Sequence, residues 1–224
     1  LIYKTQNIPD QNRLELANLA RRSGQPLLSL KILSPFIKKN QEKIRPLLPS
    51  EKISYAAGLI SLGALTEAED MLLGPDLKDE PTRWFYLGLA AMAQWNYIKA
   101  KKYLQKYLKC KTLTGYQIHT ANLNLATSLL VLGENHSAGM IIQSELNQLN
   151  ANTEGLLISF FKELEIQWLI KKKKYDQAII ILNSLIKYLK NQSTLYDLNI
   201  QKWNLAVQFY AKKITEPELK KSLH

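Results

Sequence analysis

Three histidines and a single cysteine are the residues that could carry acid–base, nucleophilic or metal chemistry in this chain. Nucleophilic catalysis needs a thiolate or alkoxide beside a base, and Cys110 with His119 is the pairing that could be imagined in that role. A lone cysteine is usually inert packing or surface. His119, His136 and His224 are scattered over a helix start, a turn and the terminus, unlike the clustered ligands of a metal site. The sequence has no Gly-rich phosphate loop followed by Lys and Ser or Thr, no H-E-x-x-H and no paired-cysteine spacing. The residue types therefore point away from an enzyme and call for no metal and no cofactor.

Cations are the more prominent chemistry. The run "KAKKYLQKYLKCK", 99–111, interleaves Tyr103 and Tyr107 with lysines, a mixture that can stack bases and hold phosphates. Helical spacing divides the two types: Lys99, Lys102, Lys106 and Lys109 recur on one face, and Ala100, Tyr103, Leu104 and Tyr107 on the other. The spacing predicts inward tyrosines and a solvated lysine face rather than a nucleic-acid stripe. "KKKK", Lys171 to Lys174, falls in a turn, where it reads as a solvated turn or a docking patch for acidic protein or lipid. The net charge of +11 favours encounter with acidic proteins, anionic membranes and nucleic acids alike.

A chain of 224 residues with 46% hydrophobic content suffices for one domain or a short repeat array. Sparse Gly and Pro beside abundant Leu, Ile, Ala and Lys indicate an all-α class. No segment approaches the ~18 consecutive apolar residues of a membrane span. One cysteine permits no internal disulfide, which suits the cytoplasm and equally an export compartment. The opening "LIYKTQ", without Met, suggests that an upstream segment was removed, either a targeting or anchoring segment or the rest of a larger protein. The compartment is thus cytoplasmic, or periplasmic and envelope-associated if a signal or anchor was lost.

The elements that position these residues emerge from aligning the chain with itself. From a small or apolar anchor, related residues recur 3, 7, 12 and 16 positions on. Ala17 leads to Ala20, Gly24, Ser29 and Leu33; Ala56 leads to Leu59, Gly63, Ala68 and Leu72. Gly88 leads to Ala91, Trp95, Ala100 and Leu104; Ala126 leads to Leu129, Gly133, Ala138 and Ile142. Ile166 leads to Leu169, Lys173, Ala178 and Leu182. This spacing describes an antiparallel helix pair whose seventh residue sits in the turn, where Gly supplies a left-handed backbone. Small residues at the anchor and twelve positions later let the two axes approach. Thr66 with Glu69, and Thr215 with Glu218, read as capping boxes. Pro46 and Pro49, Gly74 and Pro75, Gly115, and Asn150 to Asn152 read as loops between pairs. Trp203, Ala206, Val207 and Tyr210 begin a sixth first helix, with Leu219 and Leu223 in its shortened second.

The run Trp84, Leu87, Gly88, Trp95, Tyr97, Ala100, Leu104 and Tyr107 resembles the tetratricopeptide repeat, whose first helix carries W-x-x-L-G and whose second carries small and aromatic residues. In that comparison Trp84, Tyr97, Tyr103 and Tyr107 are seam residues. The resemblance implies an all-α, right-handed α-α superhelical solenoid of about five antiparallel helix pairs plus a partial C-terminal unit. It covers roughly residues 10 to 190 with a partial unit to the end, within one expected repeat domain, 1–224, whose units lie near 10–38, 49–74, 81–110, 119–150, 159–190 and a partial 197–223.

The resemblance further implies a non-catalytic scaffold or adaptor that binds a protein or peptide on the concave face of its first helices. Carried onto this sequence, that face holds Asn18, Arg21 and Arg22, then Ile53, Ala57 and Ile60, then Phe85, Leu89 and Met92. It continues through Leu123, Thr127 and Leu130 to Gln167 and Lys171. Polar ends and an apolar middle suit an amphipathic helix or apolar peptide better than an acidic C-terminal carboxylate. Four alternatives stay open: side chains or residues 1–12 filling the groove, a helical arm of a larger enzyme or secretion assembly, a basic surface for nucleic acid or anionic membrane, and self-association through the partial unit.

Overall fold

The computed structural model describes residue 5 and residues 8–36, 47–149, 155–189 and 194–222. Among these the chain is all-α, with no strand. Two compact units divide it, residues 1–112 and 113–224. The first holds α1 (Asp10–Arg22) with α2 (Pro26–Leu33), α3 (Pro49–Ser61) with α4 (Leu65–Leu72), and α5 (Thr82–Ala93) with α6 (Tyr97–Leu108). The second holds α7 (Gly115–Val131) with α8 (Asn135–Gln148), α9 (Gly155–Lys171) with α10 (Tyr175–Leu189), and α11 (Thr194–Tyr210) with α12 (Glu216–Ser222). Within each unit every helix packs on its pair mate, and first helices also pack on one another: α1 on α3 and α3 on α5, α7 on α9 and α9 on α11.

The seams follow the repeat spacing. Ala17, Ala56 and Ala126 are fully buried, as are Ser29, Ala68, Ala100 and Ala138 in the second helices. Cβ-sized side chains at these crossings leave no bulk to hold the helices apart. One turn further, Leu33, Leu72, Leu104, Ile142 and Leu182 are all 0% exposed, each contributing roughly 1.5–3 kcal/mol by leaving water. In the fifth pair Ile166 takes the small residue's place and packs with Leu169, Ala178 and Leu185, together with Val207 of α11. Ser29 is the one hydroxyl among these small residues, and its Oγ is buried without a hydrogen-bond partner. Ser29→Ala removes that desolvated group at constant volume, so thermal unfolding of this variant is expected to shift upward, by about 1 kcal/mol of stability.

The turns inside the six pairs all close in the same way. The residue in the left-handed region donates its N–H three residues back and its successor donates five back, as in Gly24 to Arg21 and Gln25 to Ala20. This is the Schellman arrangement, which satisfies the last carbonyls of the first helix. Gly24, Gly63 and Gly133 occupy the position at φ 75°, 80° and 78°; Trp95, Lys173 and Lys212 occupy it at φ 59°, 60° and 57°. In the sixth pair the left-handed residue follows the buried Val207 by five positions instead of seven, so Val207 does not hold the anchor register of the other pairs.

Several cap and loop expectations need correction. Because the Schellman turn fixes where the second helix starts, α4 begins at Leu65 with Ala64 as its cap. Thr66 is therefore inside the helix, and Glu69 instead pairs with Lys99 at 3.4 Å. Pro49 is the first residue of α3, where its missing N–H costs nothing. Gly115 opens α7 behind a reciprocal Thr114–Gln117 capping box. At α12 the Thr215 N–H and hydroxyl both donate to Glu218 Oε2, at 2.7 and 2.8 Å, which holds the Glu218 carboxyl below its usual range. Pro46, Asn150 to Asn152, Leu223 and the side chain of Leu219 lie outside the described residues.

Candidate functional site

In the first unit the three first helices lie side by side and carry the predicted groove residues. On α1, Asn18 Oδ1 accepts a 2.9 Å bond from Ser54 of α3, which joins adjacent helices. Arg21 reaches past α3 to α5: its guanidinium lies 5.8 Å from the Tyr86 ring centre and donates to the Tyr86 hydroxyl at 3.4 Å. Its Nε is buried with no hydrogen-bond partner. Arg22, one residue on, is exposed. On α3, Ile53 and Ala57 are 5% and 2% exposed, so both belong to the seams and present almost nothing to a partner. Ile60 is half-buried against the α3–α5 core.

Helix α5 carries three predicted apolar residues that are not fully buried. Phe85, Leu89 and Met92 are each half-buried. The Phe85 ring packs 5.4 Å from Tyr107 and edge-on 5.5 Å from Tyr86. Tyr107 is itself 2% exposed, and burial raises its phenol pKa, with Tyr86 and Cys110 adding to the effect. Tyr86 was missed by the spacing argument, although its three-residue offset from Leu89 places it on the same face. Its pairing with Arg21 covers part of this predicted face with the protein's own side chains, beside the partly exposed Leu89 and Met92.

In the second unit Leu123 and Gln167 are half-buried and Lys171 is exposed at the end of α9. Thr127 spends its hydroxyl on the Leu123 carbonyl at 2.9 Å. Leu130 is 1% exposed and is core. Glu163, on α9, accepts a 2.9 Å bond from Trp203 Nε1 of α11. The sharpest polar feature here was not anticipated. Glu145 of α8, 3% exposed, meets His119 Nδ1 at 2.5 Å and accepts from Asn122 Nδ2 at 2.6 Å, both on α7. A sequence signal existed: Glu145 continues the buried row Ala138, Ile142 by one turn, and an acid in that row demands a partner.

The two residues considered for nucleophilic chemistry are each engaged within their own unit, His119 with Glu145 and Cys110 through its thiol to the Lys106 carbonyl at 3.7 Å. His136 is exposed and His224 lies outside the described residues. Among the described residues no three His, Cys, Asp or Glu side chains are grouped to hold a metal ion.

On α6, Lys99, Lys102, Lys106 and Lys109 are exposed, while Ala100, Leu104 and Tyr107 are buried. Tyr103 stacks on Trp84 at 5.8 Å, and the cations of Arg83 and Lys106 sit 4.3 and 4.4 Å from the Trp84 ring centre. Tyr97 is half-buried. In the second unit Lys172 lies 4.4 Å over Trp168, and Lys173 is the turn residue.

Solved structures place this architecture among the TPR-like repeats. The chain is similar to a candidate kinesin light chain of Podosopora anserina with nearly identical TPR-like repeats, at 15% identity and a TM-score of 0.58 over 87% of this chain and all of the other. A point variant of that protein matches at 15% identity and a TM-score of 0.60 over 82% of this chain and 96% of the other. No family model and no curated protein matches the sequence. The likeness shows a TPR-like helical-repeat fold. No helix among the described residues is long and apolar enough to cross a membrane.

Proposed function

We propose that this chain is a non-catalytic interaction scaffold, and that the first-helix face of residues 1–112 receives an amphipathic helix or apolar segment of a partner protein. The observation that carries the reading is the apolar surface left open on α5. Leu89 and Met92 sit on a helix held from both sides, by α3 and α6, yet both keep part of their surface exposed. A rigid, preformed apolar surface loses little entropy on binding, and burying it supplies the affinity. Asn18, Arg21, Arg22, Ile60 and Phe85 flank that centre, with the arginines favouring an acidic flank on the partner.

The test is Leu89→Asp with Met92→Asp, chosen over Phe85 because the Phe85 ring also packs on buried Tyr107. A photo-crosslinker at exposed Arg22, which leaves positions 89 and 92 free to vary, is expected to trap a protein from the native source that a crosslinker at exposed Gln105 on α6 does not. The double variant should lose that adduct by at least about tenfold, the effect of roughly 1.4 kcal/mol, while its helical circular dichroism is unchanged. Retention of the same partner by the folded double variant would show the reading to be wrong.

A further inference from the structure

A second surface lies on α6, away from the groove residues, and it departs twice from what stability alone would select. Trp95 is 81% exposed and stands at φ 59° in the turn before the helix, a backbone that Gly holds at three of the six equivalent turns. An indole there gains little from burial, touching Tyr97 edge-on at 6.3 Å, and bears the steric penalty of a left-handed side-chain-bearing residue. The helix that follows has lysines at 99, 101, 102, 106 and 109 and no acidic residue. Lysines three and four apart repel one another, and Lys99 opposes the positive end of the helix dipole. Local violations of this kind, gathered on one element, are characteristic of surfaces kept for function.

The geometry orders them. Ile98, 60% exposed, precedes Lys102 by one turn, and Lys102, Lys106 and Lys109 continue the same face. Trp95 and Ile98 thus form an apolar tip, and the lysines a cationic track about 10 Å long behind it. A shallow hollow runs along the track, lined by Lys99, Lys102, Tyr103, Gln105, Lys106 and Lys109, all from α6 and its C-terminal cap. With no second wall it cannot clasp a peptide, and lysines, as point charges without the planar fork of arginine, are poorly suited to fixing individual carboxylates. A flat anionic partner fits both facts, and tryptophan prefers the boundary between lipid headgroups and chains.

We propose that Trp95, Ile98 and the lysine face of α6 form a docking site for an anionic lipid bilayer surface, with the apolar tip entering the headgroup layer and the lysines held by lipid phosphates. The protein lies on the membrane through this site and does not span it. Two signals act together, as stable surface anchoring requires.

The experiment is co-sedimentation of the full 224-residue chain with vesicles of phosphatidylcholine mixed with phosphatidylglycerol, against pure phosphatidylcholine vesicles. Binding to the mixed vesicles alone, lost as salt is raised, is expected. Trp95→Gly should weaken it by about tenfold or more while the protein melts at the same or a higher temperature, since Gly relieves the left-handed backbone. Lys102→Glu with Lys109→Glu should weaken it at least as much; these two are chosen because Lys99 pairs with Glu69 and Lys106 covers Trp84. The proposal is overturned if mixed vesicles do not bind the chain at low salt, or if Trp95→Gly binds them like the wild type. Capture by soluble polyglutamate or RNA without vesicle binding also overturns it, and assigns the lysine face to an acidic protein or a nucleic acid.

Discussion

Glu145→Ala is expected to lower stability by about 3–5 kcal/mol, a melting-point fall of at least about 10 °C for a domain of this size. The carboxylate side chain is 4% exposed and joins α8 to two residues of α7. Its removal takes the acceptor away from the Asn122 amide and the partner away from His119 Nδ1, both partly buried groups. Unsatisfied buried donors lose the full desolvation penalty rather than the small net value of a hydrogen bond. Glu145→Gln keeps one acceptor oxygen and is expected to lose less than half as much. A double-mutant cycle with His119→Ala isolates the pair: if Glu145→Ala costs as much with His119 absent as with it present, the two are uncoupled and the account is wrong.

Gly139→Ala is expected to destabilise by about 2 kcal/mol, although alanine in a helix interior normally gains about 1 kcal/mol over glycine. A Cβ at 139 would overlap the Trp168 indole, standing 2.6 Å from its Nε1 and closer still to two ring carbons. That ring cannot retreat freely, because its Nε1 donates to the Asn135 carbonyl at 2.8 Å and Lys172 covers it at 4.4 Å. The overlap therefore moves α8 against α9, at the roughly 1–3 kcal/mol typical of overpacking or above. Gly58→Ala is the control: its Cβ would meet Leu30 Cδ2 at 2.7 Å, the far end of a flexible side chain. Urea midpoints of the two variants should separate clearly, and in a Trp168→Leu background Gly139→Ala should lose most of its penalty.

What the amino-acid order made legible was whatever repeats. A small residue at Ala56 or Ala126, a turn seven positions on and a leucine or isoleucine at sixteen are translationally periodic, so one unit teaches the next. Trp95 and Lys173 were placed in turns by that periodicity alone, since neither residue type suggests a left-handed backbone. What breaks period stayed hidden. The spacing favoured Thr66 as a cap, and only the fixed length of the Schellman turn puts Ala64 there. Ile53, Ala57 and Leu130 looked like groove residues because a position between two seams faces either inward or outward depending on how closely first helices approach. His119 and Glu145 are 26 residues apart, and neither carries a local signature of the other. The Arg21–Tyr86 contact joins the first and third pairs of the first unit, a relation that no single repeat contains.

The six turns also bear on how such a chain changes over evolutionary time. Each is closed by main-chain donors and carbonyls, a service every residue except proline can render, and the occupants of the left-handed position range from glycine through lysine to tryptophan. A mutation there alters strain by an amount a well-packed seam can absorb, without removing a single bond of the turn. The same repeat fold is therefore compatible with sequences that share only 15% identity. In this chain the memory of common architecture resides in peptide groups, which substitution does not touch.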